Sequence, residues 1–99
     1  MPKNKATIPQ ETLEHCASAL KVLAHPIRLR LVEILLEGRW SVTQLAAAAG
    51  KPQAEISQHL GKMKAARLLT AERDGKEVYY SCLDPACATI INCIRKHCS

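Results

Sequence analysis

The chain has 99 residues, a formal net charge of +5 and 47% apolar residues, but only three aromatic side chains, Trp40, Tyr79 and Tyr80. That much apolar content excludes a disordered chain, and the absence of any run of 18 apolar residues excludes a membrane-spanning helix. The length fits one domain with an aliphatic core, marginal enough alone that dimerisation is expected.

The opening "MPKNKATIPQ" is basic but is followed by no apolar core, so it does not read as a secretory signal. The expected compartment is therefore the reducing cytoplasm. There the five cysteines, an odd number, point to free thiols, metal ligands or redox sensors rather than a disulfide scaffold. The basic balance suits a polyanionic partner, although charge alone speaks only to non-specific attraction.

In chain order, residues 1–8 are expected to form a disordered tail, and 9–99 a DNA-binding and dimerisation domain. A first helix is expected from Pro9 to Leu23, with Leu13, Cys16, Ala17, Leu20 and Leu23 recurring on one face. "HPIRLRLVEILLEG" opens a second helix with Pro26 at its first position and Gly38 as its stop; its wide apolar surface implies burial. Ser41 and Gln44 fit a capping box for a third helix, "VTQLAAAAG", which Gly50 and Pro52 break. A fourth helix follows, from Gln53 to Ala66, with Ile56, Leu60 and Met63 inward. The period then changes. "LLTAERDGKEVYYSCL" holds two strand-like runs around Asp74-Gly75, a two-residue hairpin signal. Asp84 and Pro85 open a last helix that runs to about Cys98. The fold class is mainly α with a small β-hairpin wing, a winged helix-turn-helix of about five helices and two strands.

Helix, short Gly/Pro turn, helix and basic hairpin occur in the order that reads DNA. The polar side of "EISQHLGKMKAARLL" carries no acid after Glu55. Opposite the inward residues lie Ala54, Gln58, Gly61, Lys62 and Ala65, small enough to let the helix sink into a major groove. Gln58 can pair with adenine and Ser57 with several base edges, while Lys62 and Lys64 suit phosphates. Gln53 at the helix start, His59 at the edge of the apolar face, and Arg73 and Lys76 at the hairpin tip complete the expected DNA-binding set. A solvated face would suit any single basic helix; the ordered trio of turn, helix and basic hairpin is what favours double-stranded DNA. For His59, packing inside the fold competes with base contact.

The stretches "LKVLAHPIRLRLVEILLEG", "SVTQLAAAAGKPQAEISQHLGKMKAARLL" and "RDGKEVYYSCLDP" resemble the ArsR/SmtB family of small bacterial repressors, over roughly residues 12–98. The resemblance implies a homodimer built through the first and last helices, binding to an inverted repeat, and release when an effector binds. Arg67 departs from the pattern, which has Gly at the end of the recognition helix. The arsenic-type Cys pair at the third helix is absent, since "RWSVTQL" stands there. Of the zinc-type ligands, Asp84 and His97 match, but Ala86 replaces one and the chain ends before the fourth. Of the persulfide-type cysteines, Cys98 matches one position and Glu33 occupies the other.

What remains is a cysteine set near the implied dimer interface. Cys87, Cys93 and Cys98 are the sensor candidates, with Cys16, His97 and Asp84 as secondary ones. Thiolates favour thiophilic ions: arsenite, antimonite, cadmium, lead, zinc or copper(I). The fold itself is expected to need none. The alternative is a thiol-redox sensor of the same fold that responds to persulfide or peroxide. An enzyme is not expected: the chain lacks a Gly-rich phosphate loop, HExxH and CxxC.

Overall fold

Local capping chemistry sets most of the boundaries in the computed structural model, which describes residues 7–98. Helix α1 runs Gln10–Leu23, α2 Pro26–Leu35, α3 Val42–Ala49, α4 Gln53–Ala65 and α5 Ala86–His97. The expected disordered tail lies mostly outside the described residues.

His25 is the N-cap of α2, its Nδ1 accepting the Ile27 N–H at 3.2 Å, with Pro26 in the first turn. Ser41 and Gln44 close the expected capping box on α3, Oγ accepting the Gln44 N–H at 3.1 Å and Oε1 the Ser41 N–H at 2.9 Å. Each satisfies a backbone donor that the helix cannot. Asp84 Oδ1 accepts the Ala86 N–H at 2.9 Å at the start of α5. Helix α2 ends at Leu35, short of Gly38, because a tighter turn follows in which the Leu36, Glu37 and Gly38 N–H groups bond back to Val32, Ile34 and Leu35.

The sheet has three strands, one more than expected. Strand β1 (Trp40–Ser41) pairs antiparallel with β3 (Glu77–Cys82), which pairs with β2 (Leu69–Asp74), giving the order β1-β3-β2. Two residues are too few for a periodic signal, so β1 was hidden in the sequence. The register also moves the hairpin turn by one residue. Asp74 faces Glu77, so the loop is Gly75-Lys76. Gly75 has φ +68 and Lys76 does not share a positive φ, which is the requirement of a II′ turn.

The core is aliphatic. Leu31, Leu45, Ile56, Leu60, Met63 and Leu68 are fully buried, while Trp40 and Tyr80 only pack against its margin. Helix α2 packs on α3, α4 and α5, which accounts for its wide apolar surface. Of the apolar face of α1, only Ala19 and Leu23 are buried within the protomer, and Leu13, Cys16 and Leu20 are exposed. Helix α1 leaves most of that face on the outside, with Cys16 and Leu20 bordering a groove shared with Ile90 of α5.

Candidate nucleic-acid interface and thiol groups

Helix α4 presents two unlike faces. Ile56, Leu60 and Met63 anchor it with no exposed surface. Ala54, Ser57, Gln58, Gly61, Lys62, Lys64 and Ala65 all face solvent, and nothing lies within 4 Å of where a Gly61 Cβ would stand. Helix α3 packs against α4 across the turn at Gly50-Lys51-Pro52. Gln53 Nε2 donates to Thr43 Oγ1 at 3.1 Å, joining the starts of the two helices.

His59 sits elsewhere. Its side chain is 12% exposed, and its Nδ1 accepts from Arg28 Nε at 3.0 Å. Its ring meets His25 edge-on with centroids 4.6 Å apart. Burial, His25 and the Arg28 charge hold its pKa below the usual histidine value. The structure therefore places His59 between α4 and α2, away from the exposed face that carries Gln58. Arg28, whose Nη1 also donates to the Val22 carbonyl at 3.0 Å, is a positioning residue that the sequence did not reveal.

A second such residue is Arg39. It stacks 4.2 Å above the Tyr79 ring, bonds Asp74 Oδ2 at 2.9 Å and lies 3.6 Å from Glu72. Asp74 and Glu77 face each other across the hairpin, an unfavourable pairing that Arg39 offsets. Arg73, opposite Val78, lies on the other face of the wing, and Lys76 lies in its turn; both are exposed.

The α4 end fixes how the wing leaves the helix. The Leu68 N–H bonds the Met63 carbonyl at 3.0 Å and the Arg67 N–H the Lys64 carbonyl at 2.9 Å. Arg67 has φ +63. That is the Schellman arrangement with arginine where glycine is usual.

The thiols divide by exposure. Cys16, Cys93 and Cys98 are exposed, Cys82 is half-buried and Cys87 is buried. Cys93 and His97 are one turn apart on α5. Asp84 and His97 flank that helix, about 20 Å apart along its axis, too far for one ion. Asp84 Oδ2 instead meets His15 Nε2 at 3.1 Å, giving His15 a partner that its position on α1 did not suggest. Among the described residues no group of three or more His, Cys, Asp or Glu side chains is placed to hold a metal ion. One protomer thus does not assemble the candidate sensor residues into a site.

The pattern of the family described as "Bacterial regulatory protein, arsR family" matches residues 25–71. The transcriptional repressor PagR of Bacillus anthracis is 41% identical over 81 residues, covering 81% of each chain. The chain belongs to the ArsR family of bacterial regulators. The repressor SmtB of Mycobacterium tuberculosis is 39% identical over 90 residues, 91% of this chain and 67% of that protein. Among solved structures, the antimony-specific repressor AntR superposes with a TM-score of 0.82 at 30% identity, over 95% of this chain and 88% of the other. This ArsR-family chain is a winged helix-turn-helix DNA-binding regulator and not an enzyme. No helix among the described residues is long and apolar enough to cross a membrane.

Proposed function

We propose that the protein is a cytoplasmic homodimeric repressor whose residues 9–99 act as one unit, binding an inverted-repeat operator and leaving it when an effector engages its thiols. The observation that carries the DNA reading is the pair of opposed faces on α4. Three wholly buried side chains anchor it, and an acid-free surface of Ser57, Gln58, Lys62 and Lys64 faces out. In this reading Gln58 and Ser57 read base edges, Lys62, Lys64, Arg73 and Lys76 hold phosphates, and Gln53 and His59 orient the helix.

Dimerisation is supported by the largely apolar groove between α1 and α5, about 310 Å³, lined by Cys16, Ala19, Leu20 and Ile90 together with the paired His15 and Asp84. The Cα radius of gyration, 15.3 Å, exceeds the ~13 Å of a compact domain this long. Both fit a protomer that completes its packing on a second copy.

The effector is a thiophilic metal or metalloid ion held by Cys93 and Cys98 of α5, with His97 and with Cys16 from α1, across the two-fold axis. Exposed thiols on the two dimer-facing helices support this class, as does the family likeness to a repressor specific for antimony. The ion acts by favouring the dimer arrangement with low DNA affinity; 2–3 kcal/mol of coupling corresponds to roughly 30- to 150-fold in operator affinity.

Fluorescence anisotropy of the reduced protein on its own upstream DNA, under anaerobic conditions, tests both halves. Steeply salt-dependent binding is expected. Arsenite, antimonite, cadmium, lead, zinc or copper(I), added separately, should include one that releases the DNA at about one equivalent per site, reversed by a competing dithiol. A Cys93→Ser/Cys98→Ser protein that still releases on cue would remove this site.

A further inference from the structure

We propose that Cys82 and Cys87 form a two-electron oxidation site, in which a hydroperoxide converts the thiol pair into a disulfide that ties the wing to the first turn of α5. Cys82 is the last residue of β3 and faces Leu69 across the ladder, which turns its thiol toward the core. Cys87 is the second residue of α5 and is fully buried. The connection between them is drawn tight over one atom. The Leu68 carbonyl accepts the N–H of Leu83 at 2.9 Å and of Asp84 at 3.3 Å, and the Cys87 thiol at 3.7 Å. That clamp holds Cys82 and Cys87 near one another, close enough for each thiol to perturb the other's ionisation.

The pair is unequal. Cys82 is half-buried and reachable by a small oxidant, and its interaction with the Cys87 thiol lowers its pKa. Cys87 is enclosed, and its contact with Cys82, burial and the nearby Asp84 charge raise its pKa. Cys82 is thus the attacking sulfur and Cys87 the resolving one. The Cys82 thiolate attacks the distal peroxide oxygen, the O–O bond breaks, and the alkoxide leaves as the alcohol after taking a proton, giving a sulfenic acid. The Cys87 sulfur then attacks Cys82, the S–S bond forms, the hydroxyl leaves as water, and the Cys87 proton departs with it. Two thiols and one hydroperoxide give one disulfide, one alcohol and one water.

Two changes follow at the Leu68 carbonyl. The Cys87 S–H donor is gone, and the sulfurs close to ~2.05 Å, well inside any thiol–thiol contact. Leu68 directly follows Arg67, the residue that ends α4. The change therefore acts where the recognition helix, the wing and α5 meet. Its effect on DNA rests on the operator-binding reading above, whereas the oxidation does not.

The test uses a Cys16→Ser/Cys93→Ser/Cys98→Ser protein, which keeps only this pair and removes the exposed thiols proposed for the ion. After hydroperoxide, the tryptic peptide 77–95 should be lighter by two hydrogens and resist alkylation until reduced. A further Cys82→Ser change should leave Cys87 alkylatable after denaturation. Operator affinity should fall at least about 5-fold on oxidation and return with dithiol. Accumulation of Cys82 sulfinic acid with Cys87 still free would overturn the site. A cross-link that leaves operator affinity unmoved would overturn the switch, while DNA binding by the reduced protein, measured in the same titration, would stand.

Discussion

Arg28 donates from Nε to Nδ1 of His59 across 3.0 Å, so the corner before and within α2 holds the recognition helix from behind. An arginine side chain has no acceptor, so Nδ1 must carry its lone pair for this bond to exist. Protonating His59 breaks the bond and sets a cation among His25, Arg28 and Lys62, with only Glu55 Oε2, 3.8 Å from Nε2, to favour it. The folded-state pKa is accordingly lower than the ordinary value of 6.5. Below that value the unfolded chain binds the proton more readily than the folded one. The stability contribution is thus complete above about pH 6.5 and is lost as pH falls through the folded pKa. Urea unfolding should show a midpoint that drops from about pH 7 to about pH 5. His59→Asn, which keeps an acceptor near Nδ1 but cannot titrate, should flatten that dependence. Parallel curves for the two proteins would refute the assignment.

The end of the same helix carries stored strain. Arg67 holds φ +63 in a Schellman cap, whereas Gly50, at the matching place after α3, meets φ +67 at no steric cost. Arg67→Gly should raise stability by on the order of 1 kcal/mol, less the extra entropy of glycine in the unfolded chain. Thermal unfolding at matched protein concentration would show it as a rise of a few degrees. A fall would mean that the Arg67 side chain makes compensating contacts.

Much of this was legible in the sequence, and what was not shares a cause. The capping box at Ser41, the helix opening at Asp84 and the inward trio of α4 follow from local chemistry and period, and the structure bears them out. Strand β1 and the Gly75-Lys76 turn were hidden because pairing with β3 fixes them, not their own residues. The exposure of the α1 face was not legible because a 3.6-residue period shows that a face is apolar, not whether its own chain covers it. Arg28, Arg39 and the Cys82–Cys87 contact join residues from different elements, and no spacing rule reaches them.

Gln58 and Lys62 stand on the same exposed face but are assigned different roles. Lys62→Ala should weaken operator and unrelated DNA alike and reduce the slope of log affinity against log salt by about 1. Gln58→Ala should cost about 1–3 kcal/mol on the operator and little on unrelated DNA. Anisotropy titrations on both sequences at several salt concentrations separate the two. Equal losses on both sequences for Gln58→Ala would place it on the backbone and leave base reading to Ser57.

Leu13 and Leu20 remain 47% and 53% exposed on α1, and Leu20 borders the α5 face that carries half-buried Ile90. Leaving two leucines in water forgoes about 1.5–3 kcal/mol for each that a partner would fully bury. Both changed to Glu should give a monomer in sedimentation velocity, because two charges per protomer would then face the two-fold axis with no partner. Neither side chain belongs to the buried core, so far-UV circular dichroism should keep the helical signal. Affinity for a single half-site should hardly change, since α4 and the wing are untouched. Affinity for the full inverted repeat should fall to nearly the same level, because the second α4 no longer arrives tethered to the first. A double variant that still sediments as a dimer would show that α1 is not the dimer face. The exposed leucines would then need another partner.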